Sequence, residues 1–510
     1  MGFVSRADAL EQLAAREFDL LVIGGGIIGA GIACEGARAG LAVALVDRLD
    51  FGSATSSASS KLIHGGLRYL RLGDIRLVRE AHEERRLLLK VIAPHLVQPL
   101  RFLLPLYEHG PYRPLALRAG LLLYSTLARE RFGGIVSAER ARARVPDLRI
   151  DGLRGCGLYA DAWTNDSRLC LANVRGAAED GATVLNYAAV RSLRVVRGRI
   201  VGADVEDGIG GNNVSVQTRT VVNATGPWVD EVRRLEDPGC PRSSRLSKGV
   251  HVLVRPEHAW SAALTIPHDR VRVSFAVPWE GMLMLGTTDT AYDGDPADVR
   301  PTEEDIEQVL GEAAIALDTS LVERDRVRYA FAGLRVLPGT GRDTARARRE
   351  TVLLRGPAGM LSVAGGKLTT YRRIAHNVLQ ALRAELGLHS IDTDARPLPG
   401  AGRVADIAAW LATEPTEIEP ATRSHLARLY GTFAQDVLAE AEPNAELLRP
   451  LHPDGPDIAA QVAYARRAEW ACSVDDVLRR RTTLAVRGLA EPAVVARVDE
   501  LLHGDVRSAA

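Results

Sequence analysis

The hydrophobic positions of the first fifty residues alternate between apolar runs and helical spacing. Residues 5–17 have the pattern of a short amphipathic helix, and residues 19–23 form an apolar run that ends in glycines. Residues 27–40 have helical spacing again, and residues 41–47 (LAVALVD) form a second apolar run. Apolar runs of this length next to glycine are typical of buried strands, so we predict a β-α-β unit that begins a parallel sheet.

The pattern changes further along the chain. A Ser- and Gly-rich loop is predicted over residues 52–60 and a long charged helix over 75–92. An apolar strand at 361–364 precedes a helical pattern over 367–386. Between these regions, short β-rich segments separated by Gly and Asp turns predict an antiparallel sheet. These segments are residues 183–187, 191–196, 200–205, 214–224, 250–254, 272–277 and 282–286.

These elements predict an α/β protein (α+β overall) with three parts. At about 150 residues per domain, 510 residues favour two to three domains. We predict an N-terminal helical extension over 1–17 and a Rossmann-type nucleotide-binding domain over 18–395. Within it, an antiparallel-sheet substrate domain lies mainly inside 70–345. Residues 396–510, rich in Ala, Leu, Arg and Glu, are expected to form a C-terminal helical domain.

The composition excludes some classes of protein and leaves others open. Lys+Arg and Asp+Glu both number 64, so the zero formal charge argues against a nucleic-acid partner. Five widely spaced cysteines without a C-x-x-C pair argue against a disulfide scaffold or a structural zinc site, and we predict no metal. Of the 64 basic residues only four are lysine, so each lysine is a candidate for a chemical role.

Two apolar stretches raise the question of a membrane. Residues 20–46 follow several acidic residues and contain Glu35 and Arg38, so we expect neither a signal peptide nor a spanning helix. Residues 114–128 are rich in Leu and have arginines on both sides. Such a helix either packs on the core or lies in a membrane interface, and the pattern alone leaves both open.

Residues 24–29 (GGGIIG) satisfy G-x-G-x-x-G between the first predicted strand and helix. The first Gly makes a tight turn, the second lets the backbone approach a pyrophosphate, and the third lets helix pack on strand. Asp47 follows Gly24 by 23 residues and is placed to accept hydrogen bonds from ribose hydroxyls. The motif alone allows NAD or FAD. Two later strand-and-turn segments, at 221–226 and 362–366, favour the longer flavin dinucleotide.

The segments that follow resemble a known family. Residues 55–70 (TSSASSKLIHGGLRYL) are similar to the signature of the FAD-dependent glycerol-3-phosphate dehydrogenases, within the D-amino-acid-oxidase-like flavoproteins. The resemblance extends over nearly the whole chain. Its supporting segments are residues 223–228 (NATGPW), 248–251 (KGVH), 286–289 (GTTD) and 365–372 (GGKLTTYR).

The resemblance implies a reaction and a location. Members of this family oxidise sn-glycerol 3-phosphate to dihydroxyacetone phosphate in glycerol catabolism, by hydride transfer from C2 to FAD. They pass the electrons to a membrane quinone. They are peripheral proteins on the cytoplasmic side of the cell membrane, and often homodimers. This favours a contact between residues 114–128 and the membrane surface.

Substrate and catalytic residues follow from the same motifs. A phosphate dianion suits arginine forks and lysine, and a proton acceptor should titrate near neutral pH. His64 is therefore the proposed base, while Arg68 and Arg335 stabilise a developing alkoxide, because arginine itself stays protonated. We expect substrate to be bound by Arg68, Tyr69, Arg335, Arg349, Lys367 and Thr370.

The cofactor-binding residues are predicted from the glycine motif and the family signature together. They are Gly24, Gly26, Gly29, Asp47, Thr55, Ser56, Ser60, Lys61, Leu62, His64, Gly65, Gly66, Ala224, Gly226, Gly366, Lys367 and Leu368.

The sequence departs from the family pattern at two points. The family follows its substrate arginine with proline, whereas Val336 follows Arg335 here. Residues 342–350 carry several arginines where the family has one important one, and Arg349 is the best match.

Three alternative functions stay open. The first is an oxidase that acts on the same substrate with oxygen as acceptor. The second is a related flavoenzyme for another small hydroxy acid or amine. The third is a flavin-binding protein without catalysis.

Overall fold

The β-α-β unit at the start of the chain forms as its pattern predicts. A computed structural model describes residues 4–71, 73–269, 272–339, 351–413 and 418–504, except for the side chains of Arg68 and Arg71. In it, a helix at Arg6–Ala15 is followed by a strand at Glu17–Ile23, a helix at Ile27–Arg38 and a strand at Val43–Val46. The two strands pair in parallel, with Leu20 opposite Val43.

The helices of the described chain are numbered in chain order. They are α1 (Arg6–Ala15), α2 (Ile27–Arg38), α3 (Leu67–Arg71), α4 (Ile75–Leu87), α5 (Pro114–Ala128), α6 (Ala138–Arg142), α7 (Asp166–Glu179), α8 (Val229–Glu236), α9 (Glu303–Ala313), α10 (Tyr371–Ala381), α11 (Val404–Leu411), α12 (Pro420–Tyr430), α13 (Ala434–Ala439), α14 (Ala460–Ala468), α15 (Val474–Asp476) and α16 (Pro492–His503).

The strands are numbered in the same way. They are β1 (Glu17–Ile23), β2 (Val43–Val46), β3 (Leu62–Ile63), β4 (Val97–Tyr107), β5 (Ile135–Val136), β6 (Leu153–Thr164), β7 (Thr183–Leu185), β8 (Ala188–Val196), β9 (Arg199–Asp207), β10 (Asn213–Asn223), β11 (Ser244–Val254), β12 (Ala263–Pro267), β13 (Val273–Trp279), β14 (Met282–Gly286), β15 (Thr290–Tyr292), β16 (Val327–Pro338), β17 (Val352–Arg355) and β18 (Leu361–Ala364).

The first sheet has its parallel strands at the centre, in the order β17-β18-β10-β1-β2-β7. β1 lies between β2 and β10, and β10 pairs in parallel with β18 at Val222 and Leu361. β2 is buried along its whole length, as expected for a parallel strand covered on both faces. Helices α2, α7 and α10 pack together in one core beside it. The carboxyl ends of β1, β10 and β18 therefore meet at one edge of the sheet.

The second sheet is mostly antiparallel, in the order β15-β11-β14-β13-β12-β4-β6-β3, with β16 on β11 and β5 on β6. Its longest pairings are β4 with β6 and β11 with β16. Strand β3, which directly follows the Ser-rich loop, pairs with β6. The sheet thereby holds the chain directly before the glycine-rich segment at residues 64–66.

The mixed α/β fold class is confirmed, but the division of strands between the sheets differs from the prediction. The segments predicted at 191–196, 200–205 and 214–224 do pair in antiparallel fashion, as β8 with β9 and β9 with β10, but they belong to the first sheet. β10 also pairs in parallel with β1, and the segment predicted at 183–187 is parallel, as β7 on β2. Strands β4 and β6 were not predicted, although β6 joins β3 and β4. The helix predicted over 75–92 ends at Leu87 and continues as a π-helical turn over Leu88–Ile92.

Helices α11 to α16 surround a hydrophobic core of their own, which includes Leu426, Tyr430, Val462 and Tyr464. Buried ion pairs join this region to the first sheet. Arg168 on α7 forms a two-pronged pair with Glu469, at 2.7 and 2.6 Å. In the described residues, no helix is long and apolar enough to cross a membrane.

Candidate active site

One large cavity, of about 420 Å³, lies where the two sheets approach each other. Its wall includes the turns after β1 and β10, residues 188–191 of β8, and the segments at 64–65, 333–337 and 365–369. These segments come from both sheets and from distant parts of the sequence. A long ligand in this cavity would therefore contact the glycine turn as well as His64, Arg335 and Lys367.

The glycine turn is shaped for close approach of a ligand and of a neighbouring strand. Gly24 has φ +104°, and a Cβ there would lie 2.7 Å from the carbonyl oxygen of Ala224. A Cβ at Gly29 would lie 1.8 Å from the carbonyl oxygen of Gly24, so this third glycine packs against the turn and does not line the cavity. Gly24, Gly26, Ala224 and Gly226 line the wall. The turn exposes backbone at the start of α2, where the helix dipole favours phosphate.

Asp47 closes the other side of the turn. Its carboxylate accepts hydrogen bonds from the backbone N–H of Gly25 at 2.6 Å and of Leu49 at 2.8 Å. Burial raises the pKa of Asp47 to about 6, despite these two hydrogen bonds. Ionised at neutral pH and in the cavity wall, it can accept hydrogen bonds from ribose hydroxyls.

The serine-rich loop supplies the next part of the wall. Thr55, Ser56, Ser60 and Leu62 line the cavity, as predicted. The Oγ atom of Ser56 accepts a hydrogen bond from the N–H of Ile27 at 2.8 Å, and the hydroxyl of Thr55 donates to the carbonyl of Leu334 at 2.7 Å. These bonds fix the loop between the glycine turn and β16.

Lys61, a predicted cofactor-binding residue, lies behind the serine-rich loop, and its predicted role stays a prediction. Its ammonium is buried and donates to Asp166 at 2.6 Å and to the carbonyl of Ser57 at 3.0 Å. It also lies over the ring of Trp279, at 4.8 Å from the centroid. With its charge neutralised behind the loop, Lys61 shapes the loop and does not line the cavity.

Backbone hydrogen bonds from two sides hold the turn that carries His64. The N–H of His64 donates to Oγ1 of Thr369 at 3.1 Å, and the N–H of Gly65 donates to Oδ1 of Asp161 at 3.1 Å. His64 and Gly65 line the cavity, while Gly66 lies behind them, where a Cβ would be 2.2 Å from the ring of Tyr69. Gly66 thus shapes the turn, and its predicted role in cofactor binding stays a prediction.

Arg335 lies in the cavity wall, fixed by hydroxyl and carbonyl oxygens. Its Nη2 donates to Oγ1 of Thr287 at 2.8 Å, and its Nη1 donates to the carbonyl of Thr288 at 3.1 Å. A Cβ at Gly249 would lie 2.4 Å from Nη2, so this glycine makes room for the guanidinium. Asp289 is 3.7 Å from Nη1. The arginine is thus oriented, and its side chain keeps 20% exposure.

Lys367 and Tyr69 form a pair in the same wall. The lysine Nζ lies 3.9 Å from the centroid of the tyrosine ring. Gly366 and Leu368 line the cavity beside them. Thr370 does not, since it is buried at the start of α10 and donates its N–H to the carbonyl of Lys367. In the structure Thr370 shapes the turn, and its predicted contact with substrate stays a prediction.

Two predicted substrate residues are outside what the structure describes. The side chain of Arg68 and the whole of Arg349 are in this group. Their predicted contacts stay predictions. The remaining predicted residues of the wall come together in one cavity, although they span more than 340 positions of sequence.

Sequence reasoning missed two polar groups near this cavity. His251 lines the wall, shares a 2.9 Å hydrogen bond with Ser60, and stacks on Phe331. Burial lowers its pKa, with Arg335 and Lys61 acting in the same direction. Asp161 lies behind the wall, under Gly65. The signal for His251 was present in the KGVH segment. For Asp161 the signal was its position in the run at 155–167, where Asp161 and Asp166 are the two charged residues.

Comparisons with known proteins agree with a flavin cofactor in this cavity. Residues 19–372 match the family described as FAD dependent oxidoreductase, and residues 391–506 match the C-terminal domain of alpha-glycerophosphate oxidase. The cradle formed by Gly24, Gly26 and Asp47 fits the dinucleotide, because each presents backbone or carboxylate to the cavity. When bound, FAD supplies the acceptor for two electrons.

Individual relatives match over nearly their whole lengths. The aerobic glycerol-3-phosphate dehydrogenase of Escherichia coli (strain K12) is 37% identical over 486 residues, which is 91% of this chain and 93% of that protein. The D-erythritol 1-phosphate dehydrogenase of Brucella abortus (strain 2308) is 38% identical over 482 residues, 91% and 94%.

A solved structure extends the likeness to the fold. The glycerol-3-phosphate dehydrogenase from Bacillus halodurans, complexed with FAD, has a TM-score of 0.76 and 28% identity. The match covers 98% of this chain and 97% of that one. The chain therefore belongs to the family of FAD-dependent oxidoreductases that contains the FAD-dependent glycerol-3-phosphate dehydrogenases.

Proposed function

We propose that the protein oxidises glycerol 3-phosphate to dihydroxyacetone phosphate and passes the electrons to a membrane quinone. The observation that carries this proposal is the meeting of His64, Arg335 and Lys367 in the wall of the dinucleotide cavity. Two cations suit a phosphate dianion, and a histidine suits the proton of a secondary alcohol. The names of the relatives support the same substrate class.

The phosphate group is bound by the cations of the wall. Arg335 presents a guanidinium whose orientation Thr287 and Thr288 fix, which reduces the entropy lost when substrate binds. Lys367 adds a second charge, placed by its contact with the ring of Tyr69. Arg68 and Arg349 are proposed as further phosphate ligands on the sequence motifs alone.

The alcohol is oxidised by loss of a hydride from C2 and a proton from the hydroxyl oxygen. FAD, held by the glycine turn and Asp47, would supply the acceptor for this hydride. His64 takes the proton. Its position in the wall is fixed, because the N–H of His64 donates to Thr369 and the N–H of Gly65 donates to Asp161. Arg335 stabilises the negative charge that develops on the oxygen as the proton leaves. The product is the ketone at C2, and both electrons of the broken C–H bond go to the acceptor.

An anaerobic absorbance spectrum tests this function directly. We expect glycerol 3-phosphate to bleach the bound flavin, whereas glycerol without its phosphate leaves it oxidised. D-erythritol 1-phosphate and lactate are tested in parallel. Faster bleaching by D-erythritol 1-phosphate would assign the longer polyol phosphate as substrate, and bleaching by lactate alone would contradict a phosphate site. If His64→Ala is reduced at the wild-type rate across pH, His64 is not the base.

The proposal of a membrane quinone rests on the surface of α5. Leu115 and Leu122 on this helix are 83% and 51% exposed, while Leu121 and Tyr124 on the other face are buried. Arg113, Arg118 and Arg129 add positive charge beside the leucines. An amphipathic helix with this charge pattern suits an anionic membrane surface at the cytoplasmic face.

Vesicle sedimentation tests the membrane contact. We expect the wild-type protein to pellet with vesicles that contain anionic lipid, and Leu115→Ser with Leu122→Ser to stay in the supernatant. Val195→Ser with Val196→Ser, which removes exposed apolar side chains from β8, is the matched control and should pellet. With a soluble quinone analogue and oxygen as competing acceptors, stoichiometric peroxide would assign an oxidase instead.

A further inference from the structure

The turn that carries His64 depends on a carboxylate of the second sheet. Asp161 lies on β6 and is 4% exposed. Its Oδ1 accepts the N–H of Gly65 at 3.1 Å, next to the N–H that His64 donates to Thr369. The two adjacent amides are therefore fixed by opposite sides of the molecule. Movement of Asp161 relative to Thr369 would change where the histidine ring lies in the cavity.

Asp161 is in turn held by two helices. The hydroxyl of Tyr124, on α5, donates to its two oxygens at 2.8 and 3.0 Å, and Nη1 of Arg85, on α4, donates to Oδ1 at 2.8 Å. Arg85 also pairs with Glu130. Glu130 already supplies one negative charge to Arg85. The need to neutralise Arg85 therefore does not by itself explain why a carboxylate lies at position 161.

His82 completes the packing under the turn. A Cβ on Gly65 would lie 2.3 Å from the His82 ring, so the ring rests directly on this glycine. The same ring meets Tyr124 edge-on, with centroids 4.5 Å apart. Burial, with Arg85 and His64 acting in the same direction, lowers the pKa of His82 to about 3, so the ring is neutral. A displacement of Tyr124 is therefore transmitted to the turn by contact as well as by hydrogen bond.

We propose that Asp161 is a positioning residue for the His64–Gly65 turn, and that Tyr124 couples the position of this turn to helix α5. The proposal rests on the proposed function in one respect, namely that His64 acts on substrate. The face of α5 opposite Tyr124 carries the exposed leucines. A partner of that face, the membrane included, thus has a physical connection to the turn, in which Tyr124 is the side chain of α5 that bonds directly to Asp161.

Two buried tyrosines offer a matched test. Tyr124 and Tyr159 lie in one aromatic cluster, with ring centroids 5.7 Å apart, and each is at most 3% exposed. Tyr159 shares its hydroxyl hydrogen bond with Thr265, at 2.6 Å. Tyr124→Phe and Tyr159→Phe therefore each remove one buried hydroxyl, but only the first removes a bond to Asp161.

The measurement is the rate constant of flavin reduction by glycerol 3-phosphate, separated from the substrate dissociation constant. We expect Tyr124→Phe to lower the rate constant about fivefold with the dissociation constant within about twofold, because a displaced group costs rate when binding contacts remain. Tyr159→Phe should stay within about twofold in both. Asp161→Asn, if it folds, should lose about a hundredfold in the rate constant. A wild-type rate in Tyr124→Phe, or equal losses in both tyrosine variants, would overturn the proposal.

A second readout does not depend on substrate. Gly65 lines the cofactor cavity, so a moved turn should shift the visible absorbance bands of bound oxidised flavin in Tyr124→Phe and leave them unshifted in Tyr159→Phe. If no substrate bleaches the wild-type flavin, the proposed function fails. The spectra then decide the positioning role alone, and identical spectra for all three proteins would overturn it.

Discussion

Asp47 and Asp50 lie three residues apart after β2, yet they belong to two different regions. Asp47 is in the wall of the cofactor cavity, and backbone N–H groups of Gly25 and Leu49 donate to it. Asp50 is buried at the junction with the C-terminal helices, where Arg481 and Arg480 donate to its carboxylate. The same residue type thus lines a cavity in one region and holds two parts of the molecule together in the other.

The pKa values of the two carboxyls differ in the expected directions. Burial raises the pKa of Asp47 to about 6, because two backbone hydrogen bonds compensate it only in part. Burial acts on Asp50 too, but the charges of Arg481 and Arg480 hold its pKa below the usual value. The paired charges at the junction stabilise the fold. The charges of the cavity wall are oriented by hydroxyl and amide groups, so they are suited to a ligand.

The largest effect is expected at the junction. Arg481→Met leaves the carboxylate of Asp50 buried beside one arginine instead of two. Loss of one partner of a buried pair costs about 3–5 kcal/mol in the free energy of unfolding. Urea denaturation followed by tryptophan fluorescence measures it.

The neighbouring arginine provides the control. Arg479 is exposed and pairs with Asp475 at the surface, where such a pair contributes about 0–1 kcal/mol. If Arg481→Met and Arg479→Met unfold at the same urea concentration, the pairing at the junction does not stabilise the fold.

The next effect is expected in the cavity and in activity. Arg335→Met removes the oriented guanidinium, so we expect kcat/KM for glycerol 3-phosphate to fall about a hundredfold, or about 2.7 kcal/mol. The free energy of unfolding should change little, since the Arg335 side chain lies in the cavity wall and is not fully buried. Arg324→Met, which removes an exposed pair with Glu303, should keep wild-type kinetics. An unchanged KM and kcat in Arg335→Met would contradict the phosphate assignment.

The smallest effect is a pH dependence of FAD binding. Ribose hydroxyls donate to the ionised carboxylate, so protonation of Asp47 below about pH 6 should weaken binding. We expect the FAD dissociation constant to rise about tenfold at pH 5 relative to pH 7. The reason is that pH 5 is one unit below the pKa of about 6, so most of the Asp47 carboxyl is then protonated. Titration of the FAD-free protein, followed by flavin fluorescence, measures this.

A variant of Asp47 tests whether this carboxylate causes the pH dependence of FAD binding. Asp47→Asn should give weaker FAD binding that no longer varies between pH 5 and 7. The raised pKa also means that the folded chain binds the proton more tightly than the unfolded chain. The stabilisation from Asp47 is therefore full below about pH 4 and is lost as the pH rises through 6. If FAD binding to Asp47→Asn still varies between pH 5 and 7, another group causes that pH dependence.

The first sheet could be predicted where its signals are local. The glycine turn, α2 and Asp47 depend on residues within thirty positions of one another, and their pattern specifies the β-α-β unit. The antiparallel assignment of β7 was wrong, and the parallel pairings of β10 were missed beside its antiparallel pairing with β9, because strand pairing is not local. β10 reads as a strand, but its partners β1 and β18 are about 200 and 140 residues away.

The candidate site shows the same limit at the level of side chains. The family signature predicts His64, Arg335 and Lys367, and the structure brings them to one wall. It does not distinguish residues that line a cavity from residues that shape the loop or turn behind it, as Lys61, Gly66 and Thr370 do in the structure. Asp161 and Tyr124 lie on a strand and a helix whose contact with the turn no local pattern encodes. The domain boundaries and site roles stay predictions.

The pairing of β10 with β18 also has a consequence for synthesis on the ribosome. Until residues 361–364 have emerged, the end of β10 at Val222 and Asn223 lacks its partner strand on one side, although more than two thirds of the polypeptide has been made. An open strand edge can pair with another chain. Nascent or truncated forms that end before Leu361 should therefore aggregate and depend on chaperones, while the full-length polypeptide closes that edge itself.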